Sequence, residues 1–166
     1  MEFNWIALFG AALIPLAVGF VWYNEKVFGK AWMRASGLTP ETLKGGNMGL
    51  IFGLAFLFAL LLSVMLSTIT IHQLHLGSIL LDEPGINDPN SEIGRFVSDF
   101  MAKYGRNFRT FQHGAFHGIL AAFFFVLPVL GTNALFERKG FKYIAVNMGY
   151  WLITLALMGG VICANL

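Results

Sequence analysis

Four stretches of this chain are long, apolar and free of Asp, Glu, Lys and Arg, and they leave little choice of architecture. They cover about residues 3–23, 48–71, 113–131 and 143–164. A bilayer core of roughly 30 Å is crossed by about 20 residues of helix, and each run is of that order. Inside hydrocarbon no water can satisfy a backbone N–H or C=O, so a single run must close its own hydrogen bonds as a helix. Composition agrees: 57% of the 166 residues are hydrophobic and only 12% charged, against roughly 25% charged in a soluble domain. Residues Met1, Glu2, Phe3 and Asn4 carry no positive charge, and no small-x-small cleavage site follows, so the first run is expected to persist as a span.

The expected fold is therefore an all-α, integral membrane four-helix bundle forming one domain. Small residues recur at helical spacing in every run. Ala7, Ala11, Pro15 and Gly19 mark the first; Gly49 and Gly53 the second; Gly114 and Gly118 the third; Ala145 with Gly149 and Ala156 with Gly160 the fourth. Such residues let helix backbones approach closely, within one chain or between copies. Trp22 and Tyr23, where the first run ends, and Trp32 in the following connection have the character of interface anchors.

The connections differ. Residues 24–47 carry Lys26, Lys30, Arg34 and Lys44, and residues 27–33 read as a short surface helix. The second connection is the longest. Within it Ile93, Phe96, Val97, Phe100 and Met101 fall on one helical face, with Glu92, Arg95, Asp99 and Lys103 opposite. This predicts an additional amphipathic helix over about 91–104, lying on the membrane. The third connection is short and basic, with Arg138, Lys139 and Lys142. The first and third connections hold seven Lys and Arg, the second holds four. That bias predicts a multi-pass protein with both termini outside the cytoplasm.

Histidine is the one chemically pointed residue type. His113 and His117 sit four apart at the start of the third run, one turn from each other on a helix. His72 and His75 close the second run. Successive spans place all four at one membrane surface. Pairs of ligands on neighbouring helices build metal sites in bundles, and imidazole suits zinc, copper, iron or nickel. Glu92, Asp99 and Cys163 are the other side chains that this surface could bring near. The alternative is that the histidines are interfacial polar groups bonded to hydroxyls or carbonyls across helices. The usual metalloprotease and attached-haem motifs are absent. Ser63 and Ser67 have no base and acid arrangement around them, and no catalytic signature stands out.

The segments Gly19 to Tyr23, Phe28 to Met33 with Gly37, Thr132 to Arg138, Asn147 to Trp151, and Met158 with Gly159 resemble the DUF1761 family of membrane proteins. The resemblance frames the whole chain and implies a small four-span protein of the bacterial cytoplasmic membrane, with no activity attached. Taken with the packing faces, it favours a structural or interaction role, as a homo-oligomer or an accessory subunit, with the lipid bilayer and another membrane protein as partners. A metal-binding protein using the histidines is the second reading, and a small-solute transporter or channel formed by oligomerisation the third. A net charge of +2 gives no reason to expect nucleic acid.

Overall fold

The computed structural model describes residues 4–166; the start of the first run at Phe3 lies outside them. The described chain is all-helical. In order it forms α1 (Trp5–Trp22), α2 (Gly29–Ser36), α3 (Pro40–Lys44), α4 (Met48–Thr70), α5 (Gln73–Ile79), α6 (Glu92–Tyr104), α7 (Phe111–Ala121), a π turn (Ala122–Val126), α8 (Leu127–Phe136) and α9 (Phe141–Asn165). Four helices are long and apolar enough to cross a membrane: α1, α4, the continuous α7–α8 unit and α9. The protein is a four-helix bundle of membrane type, with α6 as the amphipathic helix of the second connection.

The axis of the bundle is α9. Of its most apolar stretch 56% is buried within the protein, against 28% for α1 and 17% for α4 and for α7–α8. The other three spans all pack on it. Leu8, Ala11, Leu66, Ile71, Ala121, Ala122, Leu155, Met158 and Ile162 form the shared core. The outward faces remain strongly apolar: Phe20, Leu50, Phe58, Leu61, Phe124, Phe125 and Phe136 are all exposed. A water-soluble monomer does not tolerate so much contiguous apolar surface, whereas lipid does.

Local chemistry sets the helix ends. Asn4, Asn47, Ser91 and Thr110 each cap the following helix, accepting a backbone N–H through the side chain. Helix α1 runs through Pro15 without a break, and Tyr150 of α9 donates its hydroxyl to the Pro15 carbonyl at 3.0 Å. In the third span the π turn lies just ahead of Pro128, whose ring would crowd the preceding turn of a regular helix. That span also continues past Gly131 to Phe136. The polar residues Thr132 and Asn133 thus lie inside the helix. The helix stops where Arg138 takes a left-handed conformation at φ 56° and Lys139 N–H bonds back to the Ala134 carbonyl.

The two ends of the bundle are built differently. At one end the aromatic residues interlock. Trp22 donates Nε1–H to the Val146 carbonyl at 3.0 Å, and its ring lies where a Cβ on Gly149 would be, 2.6 Å from Cζ2. Tyr23 donates its hydroxyl to Asn147 Oδ1 at 2.8 Å and stands near Trp32 and Tyr150. Lys139 donates to the Ser36 carbonyl, tying the short last connection to α2. Trp22, Tyr23 and Trp32 are thus half-buried between helices and lock α1 and α2 to α9. At the other end Asn4 bonds the Asn165 carbonyl, so α1 begins where α9 finishes.

The glycines divide into two classes. A Cβ on Gly114 would meet the Gly159 carbonyl and Cys163, one on Gly118 would meet the Leu155 carbonyl, and one on Gly160 would meet the Phe111 ring. Gly19 lies under Tyr150 at 3.6 Å. Gly53, by contrast, faces open space, and Gly49 has only Asn47 nearby. Gly118→Ala should therefore destabilise the bundle by about 1–3 kcal/mol, through backbone displacement. Gly53→Ala should leave stability unchanged within about 0.5 kcal/mol or raise it slightly. Reversible unfolding in mixed detergent micelles separates the two; equal losses would contradict the packing described.

Candidate metal centre

The histidine end of the bundle begins with two His-Gly pairs. His113 precedes Gly114 and His117 precedes Gly118, each pair one turn from the next. Neighbouring residues on a helix are about 100° apart in direction. The glycine face is pressed backbone to backbone on α9 at Gly159 and Leu155. The histidine face is thereby turned toward the end of α4.

There α4 stops and delivers the third imidazole. Ile71 leaves helical geometry at φ −110°, ψ 91°, with its side chain fully buried. The chain turns at this anchor, and His72 stands at its exit, at the head of α5. His72 and His113 place their Nε2 atoms 3.0 Å apart. The ring centroids are 5.0 Å apart for His72 with His113, 5.0 Å for His72 with His117 and 4.5 Å for His113 with His117. One ring nitrogen from each of the three lies within 4.8 Å of the others. The nitrogens of a tetrahedral metal site stand about 3.3 Å apart, given metal–nitrogen distances of about 2.0–2.1 Å. One pair is already near that separation, and the three nitrogens together span no more than 4.8 Å.

A supporting layer holds these elements in place. Thr110 Oγ1 accepts the His113 backbone N–H at 3.2 Å and so fixes the first turn of α7. Phe108 is held in the left-handed region at φ 60°, a conformation rare for a bulky residue. Its ring lies against His113 with centroids 5.2 Å apart. Cys163, buried near the end of α9, lies 3.3 Å from the Phe108 carbonyl and 3.4 Å from the Thr70 carbonyl. Arg109 Nε donates to the Cys163 carbonyl at 3.0 Å, and Gln73 donates to the Asn107 carbonyl at 2.8 Å. The end of α9 therefore clamps both segments that carry histidines.

Of the four histidines, the structure brings His72, His113 and His117 together. His75 lies further along α5 and lines a cleft with Leu76, Phe100 and Tyr104. Among the described residues Glu92, Asp99 and Cys163 are not part of the three-nitrogen cluster. Ser63 and Thr70 bond carbonyls four residues back on their own helix, and Ser67 bonds the one three back, so each satisfies itself within α4. Thr110, Phe108 and Cys163 were not singled out by sequence as a supporting layer. The visible signals were the polar residue before the third run and the thiol near the end of the fourth.

Comparison with known families decides the chain's kinship. Residues 6–163 match the family described as "Protein of unknown function (DUF1761)". The chain belongs to this family. Neither the curated proteins nor the solved structures contain a match to it. The matched range takes in both the interlocked end of the bundle, with Trp22, Tyr23, Trp32 and Gly149, and the histidine end.

Thr110→Ala removes the cap of α7 and should lower stability by about 1 kcal/mol, with Thr110→Ser retaining most of it. Unfolding in mixed micelles measures both variants. Cys163, being buried, should react with maleimide only on unfolding.

Proposed function

We propose that this protein is a metal-binding membrane protein, with His72, His113 and His117 holding one transition-metal ion at the membrane surface. The observation that carries the reading is the convergence of three imidazole nitrogens from two separate segments within 4.8 Å. A hydrogen bond accounts for only two of the rings. Either His72 or His113 donates Nε2–H to the other's lone pair. Among the described residues the half-buried ring of His117 makes ring contacts and no hydrogen bond. A polar ring near a membrane needs a partner, and a cation supplies one for all three lone pairs at once. Binding requires neutral imidazoles with the remaining proton on the other ring nitrogen. Three nitrogen ligands leave a fourth position open, as in zinc sites that accept an exogenous ligand.

The reading includes a location. The bias of Lys and Arg toward the first and third connections supports a reading in which those connections face the bacterial cytoplasm and the histidine surface faces outside. A second reading, an interaction role through self-association, is supported by α4. Among the described residues no other helix fills the space at its Gly49 and Gly53, and Leu50, Leu54 and Leu57 beside them are exposed. Cysteines placed at these positions should cross-link between copies if α4 forms the contact, and remain unlinked if the face meets only lipid.

Elemental analysis of protein purified without a histidine tag or chelator tests the main reading. About one metal atom per chain is expected after loading with zinc. His72→Ala, His113→Ala and His117→Ala should each weaken zinc binding by more than about 100-fold. His75→Ala should retain it. An unloaded wild type, or equal loss on His75→Ala and His117→Ala, would defeat the assignment.

A further inference from the structure

Beside the three-histidine cluster lies a cleft of about 460 Å³, lined by His72, His75, Leu76, Ile79, Phe100 and Phe108 among others. Its size falls within the roughly 300–1,000 Å³ of small-ligand sites. It runs between α5 and the apolar face of α6, continuing at Tyr104 and Asn107. A second, smaller gap of about 230 Å³ separates Val97 and Met101 of α6 from Leu74 and Gly77 of α5. The amphipathic helix therefore presents its apolar side to α5 across open space. His72 belongs both to the cluster and to the cleft wall.

The cleft has a polar end and an apolar body. Among the described residues no Lys, Arg, Asp or Glu lines it. At its His72 wall an anionic head group meets the cation at the histidines; Lys103 stands over the Tyr104 ring further along. Carboxylate oxygen is an ordinary ligand of such a cation, at about 2.0–2.2 Å for zinc. The apolar walls of α5 and α6 suit a hydrocarbon chain, which is removed from water there. We infer that the cleft between α5 and α6 holds a long-chain carboxylate, its chain along Leu76, Ile79 and Phe100 and its head group on the metal at His72, His113 and His117. The inference rests on the metal-binding reading above and adds the class of ligand that completes the coordination.

The test uses the full chain in phosphatidylcholine nanodiscs, loaded with zinc, and palmitic acid bearing a photoreactive diazirine in its chain. Peptide mapping should place the label on Ile79, Phe100 or Tyr104. Leu76→Trp, which fills the cleft from α5, should cut labelling about tenfold while zinc stoichiometry stays at that of the wild type. His117→Ala and omission of zinc should each cut labelling to a similar extent, and hexadecanol carrying the same diazirine should label weakly throughout. Zinc-loaded protein with no label in the cleft overturns the inference and leaves the metal site standing. Labelling that is the same with and without zinc, or the same for palmitate and hexadecanol, overturns the head-group assignment. A wild type that binds no zinc overturns the metal reading and this inference with it.

Discussion

The close approach of α7 to α9 is the contact on which the rest of the molecule depends. Gly114 and Gly118 on one helix, and Gly159 on the other, carry no side chain to keep the backbones apart. In lipid, helix association draws little from the hydrophobic effect, because acyl chains are as apolar as leucine side chains. Close packing and polar contacts must supply the association. The glycines allow that packing, and they also fix the rotation of α7 about its own axis. With Gly114 and Gly118 against α9, His113 and His117 face the end of α4. A candidate site thus follows from a packing constraint: the residue before each glycine is the one turned into the cluster.

The ends of the bundle divide the remaining labour. At the interlocked end, Trp22 fills the space left by Gly149, and Tyr23 bonds Asn147. These contacts hold α1 to the axial helix with aromatic surface and directed hydrogen bonds. At the histidine end the close α7–α9 contact is supplemented by a cysteine near two carbonyls, a capped helix start and a left-handed phenylalanine. The cleft and the exposed edge of the cluster lie there.

Much of this was legible in the chain. Four uncharged runs of bilayer length state the number of spans, because a backbone in hydrocarbon must bond itself. The period of Ile93, Phe96, Val97 and Phe100 states an amphipathic helix, and the structure has α6 at Glu92–Tyr104. The extension of the third span to Phe136 was not legible, since hydropathy reports the environment of a residue and not whether its carbonyl is bonded. Helix α5 was equally hidden, because seven residues after a buried turn carry too little period to declare themselves.

The sequence by itself determined the class of molecule, the end of the bundle shared by the histidines, and the pairing of each third-span histidine with a glycine. All of these follow from local rules: length, charge and helical spacing. Only the tertiary structure decided that His72 joins His113 and His117 while His75 turns away, and that Gly114 and Gly118 are packed whereas Gly49 and Gly53 are open. Those outcomes depend on which way each helix is rotated and where the chain bends at Ile71. Rotation and bend are set by contacts between segments far apart in the chain, and spacing along one helix carries no record of them.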